Sequence, residues 1–334
     1  MTDTRHTLRP LVCDPATPGA LPLAGGPLCF AHVETADGVV AASALDAAGR
    51  AALSAPRPAL CGLDLRRPRV MGILNVTPDS FSDGGQNYGT ARALARAQEM
   101  VSAGVDMIDI GGESTRPGSV TVPDAEEIAR VVPAIEAIRA AGITMPISVD
   151  TRKPAVFRAA HAAGADLWND VTALTWAPGS LETAAALDAP VCLMHFRGTP
   201  ETMTGLTDYD DVLGEVVDWL GTRAEACRAA GIRRENILLD PGIGFAKTAA
   251  QNLTLIRGLA AFHALGYPLL LGVSRKRFIG SIGRAERAEE RFPGSIAAGL
   301  AGLGQGAQIL RVHDVEATIQ ALRLWRASTL GETE

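Results

Sequence analysis

No stretch of about 18 uncharged apolar residues occurs in the chain, and Met1 to Pro10 is polar with no apolar core. Membrane spanning and secretion are both disfavoured, and a cytoplasmic location is expected. Positive charge is not in excess. Lys and Arg number 31 against 37 Asp and Glu, a net charge of −6, with a pI near 5.6. That balance argues against a general electrostatic grip on nucleic acid or an anionic membrane. The five cysteines (Cys13, Cys29, Cys61, Cys192, Cys227) form no Cys-x-x-Cys pair and no zinc-like cluster, and their number is odd. They read as structural thiols in a reducing compartment. There is no internal repeat of solenoid length, and no Gly-x-Gly-x-x-Gly follows the first strong strand signal.

What the chain does have is 47% hydrophobic and 20% charged residues over 334 positions, enough to bury a full core. Residues 1–68 are broken by Pro15, Pro18, Pro22, Pro27, Pro56, Pro58 and Pro68. They read as a small appendage of unknown role on the main body, with strand signals at Leu28–Glu34 and Gly38–Val40. From Arg69 a regular alternation begins. Strands are expected at Arg69–Val76, Val105–Ile110, Met145–Asp150, Ala165–Asn169, Pro190–His195, Ile237–Asp240, Pro268–Val273 and Gln308–Val312. Between and after them, helices are expected at Thr90–Ala103, Pro123–Ala141, Lys153–Ala163, Ser180–Leu187, Tyr209–Ala230, Ala249–Leu259, Lys276–Ile282, Pro293–Leu303 and Val315–Arg326. Eight strand–helix units point to an α/β fold, a (β/α)8 TIM barrel over 69–334 with a short N-terminal extension. A doubly wound open sheet is the alternative, although it usually has fewer strands in this length.

Polar residues stand where the apolar runs stop: Asn75, Glu113 to Arg116, Asp150, Asn169, His195, Asp240, Ser274 to Lys276, Arg311 and His313. Strand ends are polar wherever solvent begins. That reading accounts poorly for Asp150, Asn169 and Asp240, because an ionised group at a core's edge is costly unless paired. In a barrel all these positions face one mouth. Two loops, Thr77–Gly85 and Gly111–Ser119, are rich in glycine and hydroxyls, as loops that close over a ligand are. Arg311 with His313 suits an anion, since barrels often hold phosphate beyond strands seven and eight. The segment Gly242–Thr248 looks like a phosphate loop but has Ala246 where glycine is needed before Lys247, so it is not one. Arg223, Glu225 and Arg228 read as a solvated helix face, and Trp168 and Trp176 as packing residues.

Taken in order, the motifs Met71–Gly85, Asp109–Gly118, Ser148–Thr151, Trp168–Asp170, Leu193–His195, Asp240–Phe245, Ser274–Lys276 and Arg311–Asp314 resemble those of the dihydropteroate synthases. The resemblance spans residues 69 to about 326 and leaves 1–68 uncovered. It implies a transferase of folate biosynthesis. Such an enzyme joins p-aminobenzoate to 6-hydroxymethyl-7,8-dihydropterin diphosphate and releases pyrophosphate, with Mg2+ as cofactor. It also implies a homodimer and a sulfonamide target. By the same resemblance Asp150, Asn169, Asp240, Lys276 and Met194 hold the pterin. Asn75, Thr115, Arg311 and His313 hold the diphosphate, with Asn75 also near Mg2+. Phe81, Arg116, Pro117, Phe245 and Ser274 receive p-aminobenzoate, and Asp83, Lys276 and Arg116 serve catalysis. A pterin-dependent methyltransferase and a pterin-binding protein without activity are the competing readings. Neither is expected to carry Ser274–Lys276 together with both long loops and a full set of site residues.

Overall fold

The computed structural model describes residues 8–77, 85–114 and 119–332, with the backbone alone for 85–88. The chain opens with strands β1 (Arg9–Cys13), β2 (Leu21–Pro22), β3 (Cys29–Thr35) and β4 (Gly38–Ala41), joined in one antiparallel sheet around β3, and with helix α1 (Ala47–Ser54). Their apolar faces form a small core of Leu23, Phe30, Val33, Ala42 and Leu53, which also takes in Ala264 of the main body. Arg57 fastens the junction, donating to the carbonyl of His263 at 3.1 Å and to that of Ala52 at 2.8 Å.

Eight parallel strands follow: β5 (Arg69–Asn75), β6 (Met107–Gly111), β7 (Ile147–Asp150), β8 (Leu167–Asp170), β9 (Val191–Met194), β10 (Ile237–Asp240), β11 (Leu270–Leu271) and β12 (Ile309–Val312). They are paired in the order β10-β9-β8-β7-β6-β5-β12-β11, and a bridge between Leu239 and Leu269 brings the ends of the row together. The helices that alternate with the strands are α2 (Gly85–Ala103), α3 (Asp124–Ala140), α4 (Pro154–Ala162), α5 (Ser180–Ala186), α6 (Val212–Ala229), α7 (Ala249–Arg257), α8 (Arg277–Gly283), α9 (Phe292–Leu303) and α10 (Val315–Trp325). This is the (β/α)8 barrel. Among the described residues no helix is long and apolar enough to cross a membrane, and all five cysteines carry free thiols.

Two differences from the pattern read in the sequence have a plain physical cause. The seventh strand is expected over Pro268–Val273 but pairs regularly only at Leu270–Leu271. Pro268 has no N–H to give, and the Leu269 N–H is taken by the Gln308 side chain at 2.8 Å. Arg223 is not part of a solvated face. It turns inward and donates to the carbonyl of Ala173 at 2.8 Å, while Glu225 and Arg228 stay at the surface.

The period-two alternation of the strands sorts the interior. Val70, Ile108, Ile110, Val149, Trp168, Val191, Leu193, Ile237, Leu239 and Leu310 belong to the large core beneath the helices. Met71, Met107, Leu167, Cys192, Leu238, Leu270 and Ile309, on the opposite face, form a separate apolar layer, which Leu60 and Leu65 complete from the preceding segment. Two residues further along the same strands, and so on the same face, come Asp109, Asn169, Met194, Asp240, Gly272 and Arg311. The lumen is therefore apolar at its floor and polar above.

Candidate active site

The centre of the polar layer is Arg311. From β12 its Nε donates to Asp109 Oδ2 on β6 at 2.6 Å, and its Nη2 donates to Asp150 Oδ2 on β7 at 2.7 Å. Asn169 on β8 reaches Asp109 with its amide at 3.3 and 3.4 Å. Burial pushes the Asp150 carboxyl well above the usual carboxylate range, and Arg311 only partly offsets that. Its Oδ1 is buried with no hydrogen-bond partner. Asp109 and Asp150 hold the Arg311 guanidinium in its charged form against the pull of burial. Two of its five N–H donors are engaged by these carboxylates.

On the far side of the lumen, Asp240 ends β10. Its Oδ1 accepts the Gly242 N–H at 2.7 Å, yet burial still raises its carboxyl, with Lys276 opposing. A side chain at Gly272 would reach both groups, since its Cβ would lie 3.8 Å from Asp240 Oδ2 and 3.9 Å from the Arg311 Cβ. Glycine there keeps the lumen open between them. Lys276, at the start of α8, is lowered to about 8 by burial, with Asp240 opposing. Its Nζ donates to the Ile243 carbonyl and lies 4.6 Å from the centre of the Phe245 ring. Met194 ends β9 beside Asp240 and packs in a small apolar cluster with Phe196, Met203, Ala246 and Phe245. Asp150, Asn169, Asp240, Lys276, Arg311, Met194 and Phe245 are thus gathered around one mouth.

A second group lies on the β5–β12 side. His313 Nδ1 is 2.9 Å from Ser274 Oγ, which also accepts the His313 N–H at 3.1 Å. His313 and Asn75 border a cleft with Arg92, Arg96 and Arg275. Arg275 is fixed by Asp314, its Nε 3.0 Å from Oδ2. Phe81, Asp83, Thr115, Arg116 and Pro117 lie outside the described residues. The frame of the second loop is described, however. Glu113 Oε1 accepts from Arg152 at 2.6 Å, and its Oε2 accepts from Lys153 at 2.5 Å and from the Val122 N–H at 2.9 Å. Lys153 also meets Glu127 at 2.6 Å. All four charged side chains are buried, so both ends of the loop are tied to the barrel.

Sequence reading passed over two site groups. Asp109 lies inside an apolar run, and only its lumen register with Asn169, Asp240 and Arg311 marks it. His195 and Lys247 were each noticed but not paired. Lys247 Nζ lies 2.9 Å from His195 Nδ1.

The match to known proteins covers this same body. Residues 71–313 match the family model described as pterin binding enzyme. The chain is 48% identical to the dihydropteroate synthase of Escherichia coli K12 over 266 residues, which are 80% of this chain and 93% of that protein. The chain belongs to the dihydropteroate synthase family of pterin-binding enzymes. Among solved structures, a Xanthomonas albilineans dihydropteroate synthase with 4-aminobenzoic acid superposes with a TM-score of 0.75. It is 49% identical, over 80% of this chain and 96% of that one. A second structure of the Xanthomonas albilineans synthase, in complex with 7,8-dihydropteroate, gives a TM-score of 0.72 at 47% identity, covering 80% of this chain and 95% of that one.

Proposed function

We infer that this chain condenses 6-hydroxymethyl-7,8-dihydropterin diphosphate with p-aminobenzoate, giving 7,8-dihydropteroate and pyrophosphate. The observation that carries the reading is the ring of buried polar groups around one lumen, set in a chain of this family. A pterin is flat and dense in donors and acceptors, and it needs carboxylates and amides fixed in depth. Asp150, Asn169 and Asp240 supply them, with Lys276 at the ring edge and Met194 against its face. The buried Oδ1 of Asp150, unpartnered within the protein, suits a ligand N–H.

The diphosphate is assigned to the basic side. Arg311 retains donors beyond its two ion pairs, and His313, Asn75 and Thr115 complete the set. Phe81, Arg116 and Pro117 from the loops, with Phe245 and Ser274 from the barrel, receive p-aminobenzoate. Ser274 takes its carboxylate, and it is already joined to His313 across the two half-sites.

No group of three or more acidic, His or Cys side chains suited to a metal occurs among the described residues. A magnesium ion carried mainly by the diphosphate and water needs few protein oxygens. Asn75 supplies one on this reading. When bound, Mg2+ neutralises charge on the leaving diphosphate.

In the reaction the bond between the pterin methylene carbon and the diphosphate oxygen breaks, and its electron pair leaves with pyrophosphate. The aniline nitrogen then bonds to the methylene carbon and sheds one proton. No side-chain nucleophile is required. The protein's part is to stabilise the departing anion, to orient two rings and to exclude water as the loops close. Asp83 faces the cationic methylene, and Arg116 closes the p-aminobenzoate site. The family resemblance supports a cytoplasmic homodimer.

Pyrophosphate release from the pterin diphosphate, measured with and without p-aminobenzoate, tests the reading. Release that depends on p-aminobenzoate and yields dihydropteroate is expected. Binding of the pterin diphosphate with no product formed would leave the chain a binding protein, and methyl transfer from a methylated pterin would make it a methyltransferase.

A further inference from the structure

The turn 242–246 carries Phe245 and abuts Asp240, the groups assigned to the two substrate halves, and it is held from behind by a residue outside the reaction. Lys247 is almost fully buried and, among the described residues, forms no carboxylate ion pair. Its Nζ lies 3.0 Å from the Gly242 carbonyl, 3.0 Å from the Phe245 carbonyl and 2.9 Å from His195 Nδ1. Three acceptors match the three N–H donors of an ammonium. Burial holds the His195 imidazole neutral, lowering it to about 2 with Lys247 reinforcing the shift. Its Nδ1 is then a lone-pair acceptor and its proton sits on Nε2.

Burial lowers the Lys247 amine to about 7, with the Asp240 carboxylate opposing, and an apolar residue of similar length would fill the same space without that cost. Packing alone does not account for it. What the ammonium does is draw two carbonyls of one turn to a single point. The turn runs through the left-handed region at three of its five residues. Gly242 and Gly244 have φ of +69° and +83°, and Ala246, which is not glycine, has φ of +48°. With the 242 and 245 carbonyls turned back to Lys247, and the Gly244 N–H held by Asn252 Oδ1 at 2.7 Å, three further groups of the turn meet the site. The Gly242 N–H points at Asp240 Oδ1 at 2.7 Å, the Ile243 carbonyl meets Lys276 Nζ, and the Phe245 ring stands 4.6 Å from that same Nζ. The opposite wall is equally close. A Cβ on Gly242 would come within 2.0 Å of the His195 carbonyl, and the His195 N–H donates to the Asp240 carbonyl at 2.9 Å.

We propose that Lys247, seated on His195, is a positioning residue of the enzyme: it sets the 242–246 turn so that Asp240 and Phe245 are presented to the two substrates together. The proposal rests on the assignment of Asp240 to the pterin and Phe245 to p-aminobenzoate.

The test uses the full chain carrying Lys247→Met, with each substrate varied at saturation of the other. An ångström of displacement at the reacting groups lowers rate by about 100-fold. A loss of that order in kcat/KM for p-aminobenzoate is expected, with kcat also reduced, per folded site and with Tm within a few degrees of wild type. His195→Leu removes one of the three acceptors and is the arm to read if Lys247→Met does not fold. Its expected loss is about tenfold in the same constant, an intermediate share of the same displacement. Folded Lys247→Met, or folded His195→Leu where the first is insoluble, with kcat and both KM values within twofold of wild type would overturn the proposal. Asp240→Ala and Phe245→Ala are measured alongside. If they cripple the enzyme and the two positioning variants do not, only the positioning role falls. If they too are unaffected, the substrate assignment beneath it falls.

Discussion

Removing the guanidinium of Arg311 puts the organisation of the lumen to its hardest test. Arg311→Met keeps most of the side chain's length and deletes the cation that Asp109 and Asp150 face at 2.6 and 2.7 Å. The Asp109 side chain is 0% exposed and that of Asp150 is 9% exposed, so neither gains much solvation in exchange. Deleting one partner of a buried pair costs about 3–5 kcal/mol. Because the Arg311 side chain is itself 21% exposed, water can enter the gap, and the low end, about 3 kcal/mol, is expected above neutrality. The sign with pH follows from linkage. A carboxyl whose folded pKa lies above its unfolded value binds more protons when folded, so it favours the folded state at low pH and stops doing so as pH rises through the folded value. Asp150 is already such a group, and without Arg311 the charge that opposes its shift is gone. The destabilisation is therefore large at about pH 8.5 and smaller at about pH 5.5, where protonation has neutralised Asp150. Urea unfolding of wild type and variant at the two pH values measures it. A loss under about 1 kcal/mol at the higher pH, or an equal loss at both, would refute the claim that Arg311 is the counter-charge of this layer. Calorimetry with the pterin diphosphate, run on folded variant, should show binding weakened by an order of magnitude or more.

Lys276→Ala should leave the chain folded and should lower turnover by orders of magnitude in a pyrophosphate-release assay. In the wild type, activity that needs Lys276 charged should decline as pH rises through about 8. Its contribution to stability should improve between about 8 and its ordinary value near 10.5, since there the unfolded chain binds the extra proton; Lys276→Arg should abolish the activity decline in a pH–rate profile. Glu113→Gln leaves Arg152 and Lys153 short of a buried counter-charge, and a loss of about 3 kcal/mol in denaturant melts is expected. Phe81→Leu should raise KM for p-aminobenzoate and weaken sulfonamide inhibition while KM for the pterin diphosphate stays put; an unchanged inhibitor response would remove Phe81 from that site.

The barrel was legible because its strands are short apolar runs that end in charge. Asp150 and Asp240 close β7 and β10 where the runs stop. The appendage was read less completely. Helix α1 is only eight residues long and sits close to Pro56 and Pro58, although Asp46, which accepts the Gly49 N–H at 2.7 Å, is a usable start signal. Strand β1 has no turn signal tying it to β3. Of the site, strand-end residues could be found one at a time, whereas pairings could not. His195 and Lys247 are 52 residues apart and Asp109 and Arg311 are 202 apart, and only closure of the ring makes them neighbours. Asp109 was obscured by its own strand, since a single carboxylate among apolar residues carries no sign of which face it takes until the register is known.

Kinship and folding draw different borders on this molecule. The family match starts at residue 71, yet the stopper under the ring comes from before it, where Leu60 and Leu65 seat against Met71, Met107, Leu167, Cys192, Leu238, Leu270 and Ile309. A fragment trimmed to the shared portion would keep every group assigned to chemistry and still present an uncorked, greasy underside to water. Anyone shortening this enzyme for screening should therefore cut ahead of Leu60, leaving the plug in place.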